Sequence, residues 1–230
     1  RLMVERGHDV TVLTGEPNYP EGAIYPDYRA DPCSFTRFAG ADVLRCRVIP
    51  RGRSKAGMIL NYLSFALSGS LLAWRKLRTQ RFDAIFAFQT SPITQALPAI
   101  VVRRHARAPL FLWVLDLWPE TLRDIGVLRG GPIYSMIKRL VAFVYRRCDR
   151  ILIQSPAMAP SIADHAGTAE RTRLFPGWAE AEFAGGPADA APEMTALAGR
   201  FRILFAGNIG EAQDFPALVE AAALLRDEQK

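Results

Sequence analysis

The stretch Leu110-Phe111-Leu112-Trp113-Val114-Leu115-Asp116-Leu117-Trp118-Pro119-Glu120 decides the fold. Its first six residues are apolar without a break, so the strand they form has no polar face. A strand of that kind is covered on both sides, as in a parallel sheet with helices above and below. The run then meets a carboxylate, Asp116, and soon after a proline followed by a glutamate. Pro119 suits the first position of a helix and Glu120 its first turn.

Short strand-like runs recur on either side of this one, at 9–13, 43–48, 84–88, 150–153 and 173–175. Helical patterns fall between them at about 57–79, 93–104, 133–147 and 158–165. This alternation predicts right-handed βαβ crossovers and a doubly wound, Rossmann-like α/β sheet. Residues 2–8 read as the last turn of a helix closing on Gly7 as its C′ residue. On that reading, further chain is expected before Arg1. Composition changes at 176–199, where Pro, Gly and Ala dominate, as in a linker. Beyond it, residues 201–206 read as a strand and 207–210 as a tight turn. A helix is expected from about Asp214, which takes the N-cap position with Pro216 in the first turn. The expected plan is one domain over 1–175, a linker over 176–199, and the opening βα unit of a second domain over 200–230.

The chain has 230 residues, half of them hydrophobic and 23% charged, with a net charge of +6. That composition builds a core and excludes a disordered chain. The excess of positive charge suits nucleic acid, anionic lipid or a phosphorylated substrate equally. Cys33, Cys46 and Cys148 form no CxxC pair and no ligand spacing with the histidines. They read as reduced thiols of a cytoplasmic protein, and no metal site is expected.

Four segments can carry chemistry. Asp116 stands at the carboxyl end of a strand, where ligands bind in open α/β sheets. A carboxylate there can take a hydroxyl proton or cap the following helix. The loop Gly15-Glu16-Pro17-Asn18-Tyr19-Pro20-Glu21-Gly22 opens at a strand end too, and can line a cleft or simply turn the chain. Gly207-Asn208-Ile209-Gly210 joins a strand to a helix, as a phosphate-binding turn or a structural one would. In residues 37–81 ten basic side chains face only Asp42, and an uncharged stretch separates Lys55 from Arg75. Its length is near that of a spanning helix, but it lies between two sheet strands. It therefore reads as a helix in the membrane surface with Arg53, Lys55, Trp74 and Arg75 facing lipid, or as a covering helix with solvated ends.

Taken in order, these segments resemble retaining glycosyltransferases of family 4, of the GT-B fold. The likeness is to the branch that assembles bacterial surface polysaccharides, including fucosamine and colanic-acid transferases. It is carried by residues 6–15, 17–22, Asp116-Leu117-Trp118-Pro119-Glu120, 146–151 and the 207–213 turn. The resemblance implies sugar transfer from a nucleotide-diphosphate donor to an acceptor, often lipid-linked, with no cofactor. It implies Asp116 near the reacting hydroxyl and Asn18, Tyr19 and Glu120 toward the acceptor. Gly207, Asn208 and Gly210 would face the donor diphosphate across a cleft. It also implies a first strand before Arg1, donor residues beyond Lys230, and no turnover by these 230 residues alone. The implied setting is the cytoplasmic face of the plasma membrane, against anionic lipid. Gly177 departs from the pattern, standing where Asn is usual, as do Glu211 and Ala212, where a basic residue is common. A nucleotide-sugar epimerase would share the architecture but not the Asp-Leu-Trp-Pro-Glu motif. A nucleic-acid-binding module has only the charge in its favour, and no nucleic-acid partner is expected.

Overall fold

The computed structural model describes residues 1–179, 185, 195, 199, 202–207, 209 and 213–225. Helix α1 (Leu2–Glu5) ends as expected on Gly7, whose φ is +84°. Gly7 N–H donates to the Val4 carbonyl at 2.9 Å and His8 N–H to the Met3 carbonyl at 3.1 Å. These two bonds make a Schellman motif, which satisfies carbonyls that the helix end leaves open.

The strands follow the expected series, displaced by a residue or two at most ends. They are β1 (Thr11–Gly15), β2 (Arg37–Phe38), β3 (Ala41–Cys46), β4 (Ile85–Gln89), β5 (Leu110–Val114), β6 (Arg150–Ile153) and β7 (Thr172–Leu174). The two-residue β2 has no apolar run to betray it; it pairs antiparallel with β3 at the sheet edge. All other pairings are parallel. The strands form two sheets, β1-β3-β2 and β4-β5-β6-β7, so β1 and β4 each have an edge unpaired among the described residues.

Helices fill the connections: α2 (Pro26–Ala30), α3 (Lys55–Leu77), α4 (Leu97–Ala106), α5 (Glu120–Asp124), α6 (Gly131–Tyr145) and α7 (Ala159–Ala166). The 3-10 turn Ile93–Ala96 leads into α4. Helix α3 packs on β1 and β3, α4 packs on β4 and β5, and the two helices pack on each other. The main core lies on one face of the four-stranded sheet. There Leu110, Leu112 and Val114 of β5 meet Ile151 and Ile153 of β6 under Val141, Val144, Tyr145 and Ile162.

The other face of that sheet is aromatic. Trp113 stacks on Trp178 at 5.4 Å with the rings 7° from parallel, and Phe88 and Phe175 flank it. Trp113 Nε1 donates to the Phe175 carbonyl at 3.0 Å. Thus the chain after β7, and not a helix, covers this side of β5, while Phe86 and Phe88 stay exposed.

The strand expected at 201–206 does not form over the described residues 202–206, which are exposed. A strand exists only by its ladder, and no described strand lies beside it to pair. The helix expected after it does form, as α8 (Phe215–Leu224) with Pro216 in its first turn. Asp214 holds the N-cap position at φ +44°, but its side chain makes no capping bond.

Candidate functional site

The parallel ladders bring the loops after β4 and β5 together. Leu115 N–H donates to the Gln89 carbonyl at 3.0 Å, the last bond before the chain leaves the sheet. The buried Gln89 amide donates to the carbonyl of Thr90 at 3.0 Å and to that of Asp116 at 3.4 Å. Trp118 Nε1 donates to Ser91 Oγ at 3.2 Å. The Asp116 main chain is therefore fixed, while its carboxylate is left half-buried with no hydrogen bond or ion pair among the described residues. Burial pushes its carboxyl above the ordinary carboxylate range. Nor does Asp116 cap α5, since Pro119 holds the N-cap position without a side-chain capping bond. A fixed, unpartnered carboxylate is suited to accept a hydrogen bond or a proton from a hydroxyl.

Glu120, three residues on from Leu117, turns inward. Its Oε1 lies 2.7 Å from His165 Nε2, and His165 is only 3% exposed. The other oxygen of Glu120, the Nδ1 of His165 and the hydroxyl of Tyr145 are buried without hydrogen-bond partners among the described residues. Burial raises the Tyr145 phenol far above its usual range, and the charge of Glu120 adds to that. Glu120 thus ties α5 to α7 through His165, with its side chain 22% exposed. His165 was invisible as a partner, being 45 residues away. Its burial was legible, since Ile162, His165 and Ala166 fall on one face of α7 at i, i+3 and i+4.

The loop after β1 is held by the chain leading into α3. Asn18 Nδ2 donates to the Glu16 carbonyl at 2.8 Å. Its Oδ1 accepts Arg51 N–H at 3.3 Å and Asn61 Nδ2 at 3.4 Å. With both ends so engaged, Asn18 organises the loop whose residues are expected to face the acceptor. Gly22 adopts φ +78°, and a Cβ there would sit 2.6 Å from the Gly52 carbonyl oxygen. That close approach lets Gly52 N–H reach the Gly22 carbonyl at 2.8 Å. Tyr19 is exposed; its carbonyl takes the Tyr25 hydroxyl, and its ring faces the Arg51 guanidinium at 5.5 Å.

Helix α3 is long and apolar enough to cross a membrane by length and composition alone. Its buried side is made of small residues, Ala66, Gly69 and Ala73, with Leu77 at the end. Outward it presents Ile59, Leu63, Leu67, Leu71 and Trp74, with Leu67 75% exposed. Arg53, Lys55 and Arg75 are exposed at its two ends, and Arg78 lies over the Trp74 ring at 4.9 Å. Of the residues expected to face a donor, Gly207 is exposed, while Asn208 and Gly210 lie outside the described residues. No hydrogen bond, ion pair or ring contact among the described residues joins Gly207 to Asp116.

Residues 1–178 match the model of the glycosyl transferase 4-like domain. The chain belongs to that family. It is also 27% identical, over 98% of its own length, to an Escherichia coli (strain K12) protein named as a colanic acid biosynthesis glycosyl transferase, WcaI. The chain spans 57% of that relative. The matched region of this glycosyl transferase 4-like chain takes in both Asp116 and the Asn18 loop.

Proposed function

We propose that the intact protein is a retaining glycosyltransferase of surface-polysaccharide assembly, moving a sugar from a nucleotide-diphosphate donor to a lipid-linked acceptor. Family membership and the likeness to the colanic acid protein support the class. The observation that carries the reading is Asp116, a half-buried carboxylate at the carboxyl end of β5 with no hydrogen bond or ion pair among the described residues. The acceptor hydroxyl hydrogen-bonds to it and attacks the anomeric carbon on the face from which the diphosphate departs, so configuration is kept; the bond to the diphosphate breaks as the new one forms, and the hydroxyl proton passes to the carboxylate. The donor diphosphate lies toward Gly207, Asn208 and Gly210, and the reaction needs no cofactor besides this substrate.

The acceptor is held at the cytoplasmic face of the plasma membrane by α3. That helix has no acidic residue, carries a continuous apolar stripe outward, and is basic at both ends. Such a helix lies in the interface of an anionic bilayer.

In the full-length transferase, Asp116→Ala is expected to lower turnover by about 100-fold or more, the scale of a lost proton acceptor. Donor affinity should hardly change. An equal loss of both in steady-state kinetics and donor titration would refute the role.

A further inference from the structure

The turn that carries Asp116 is held from both strands beside β5. On the β4 side, the Gln89 amide donates to the Asp116 carbonyl at 3.4 Å, and Trp118 Nε1 donates to Ser91 Oγ at 3.2 Å. On the β6 side the hold comes through α7, the helix that follows that strand. A carboxylate only accepts, so His165 Nε2 donates to Glu120 Oε1, at 2.7 Å. His165 is 3% exposed, and its ring centre lies 6.4 Å from that of the fully buried Tyr145. Its Nδ1 has no hydrogen-bond partner among the described residues, so the polar contact of the ring is directed at Glu120.

A closed turn carries this hold on to Asp116. The Leu117 carbonyl accepts both Thr121 N–H at 2.9 Å and Thr121 Oγ1 at 2.7 Å, so residues 117–121 move as one piece with Asp116 at its head. A buried polar pair adds little stability over an apolar pair of the same shape. What it adds here is one fixed direction at the start of α5.

We propose that His165 is a positioning residue for sugar transfer: through Glu120 it fixes the 116–121 turn, and so the direction in which the Asp116 carboxylate meets the acceptor hydroxyl. This rests on the reading of Asp116 as the group that takes the hydroxyl proton. A displacement of roughly 1 Å in such a group costs about 100-fold in rate. His165 acts without touching the reacting atoms.

Steady-state kinetics of the full-length transferase test this. His165→Leu and Glu120→Ala remove the bond from opposite ends. Each is expected to lower kcat by about 10- to 100-fold, with KM for donor and acceptor within about twofold of wild type. His165→Gln presents an N–H near the place of Nε2 and should restore kcat to within about threefold of wild type. In the Asp116→Ala background His165→Leu should cost little more, because groups acting as one unit are not additive. A multiplicative loss in that background overturns the proposal, as does a His165→Gln no better than His165→Leu. So does a raised acceptor KM with kcat unchanged, which sets Glu120 against the acceptor instead. Should His165→Leu fail to fold, Glu120→Ala decides alone and in the Asp116→Ala background, since it leaves the buried ring in place. Full turnover by Asp116→Ala sinks the reading of Asp116 itself, whereas an additive His165 effect leaves that reading standing.

Discussion

Asp116 shows what a site demands of a single residue. Burial raises its folded-state pKa above the ordinary value. The unfolded chain therefore loses that proton more readily, and stability falls as pH rises from the ordinary carboxylate range to the raised one. Asp116→Asn is expected to melt at or above the wild-type temperature at neutral pH, and the difference should shrink as pH drops below that range. Thermal melts of both proteins across pH 3–7 check this; an Asn variant that melts lower at neutral pH contradicts it. Asp116 was legible in the sequence because it ends an apolar run, a purely local signal. The tasks of Asn18 and Glu120 were not, since their partners lie 33, 43 and 45 residues away. Type and spacing fix where such residues stand, while the hydrogen bonds that turn them inward depend on packing between distant elements.

Helix α3 has two unlike faces, and at its middle the packing is tight. A Cβ at Gly69 would lie 3.0 Å from Cγ of Pro98 and 3.6 Å from Sγ of Cys46. A branched side chain there has to push α4 or β3 aside. Gly69→Val is expected to cost about 1–3 kcal/mol, the usual penalty of overfilling a packed interior. Chemical denaturation with the slope unchanged measures it, and a variant as stable as wild type would show that this seam yields. The existence of α3 was plain from its length, although its start at Lys55 came earlier than 57, because Ser54 caps it through Gly57 N–H at 3.0 Å. The short elements were not legible. Five residues at Pro26–Ala30 and two at Arg37–Phe38 are too few for any period to show.

Across the whole molecule, burial sorts the thiols. Cys33 is exposed, while Cys46 and Cys148 are buried. Burial pushes the Cys46 thiol up and the Cys148 thiol up to about 12. A thiol-specific chromogenic reagent is expected to titrate one cysteine in the folded protein and three after denaturation; rapid reaction of two in the native state would contradict the packing. The parallel α/β class was legible throughout, because each strand carries its own apolar signature. The partition into two sheets was not, since the pairing of edges leaves no trace in any one segment. That partition has a mechanical consequence. Backbone ladders resist sliding, whereas helices packed side by side can shear. The sheet that carries the Asn18 loop and the sheet that carries Asp116 are coupled through α3 and α4, over a patch formed by Ala73, Leu77 and Val102 with Leu13, Leu44 and Ile85. Shear between the two sheets therefore falls on the apolar seam between α3 and α4, and the reach from the Asn18 loop to the Asp116 carboxylate follows how far that seam slips.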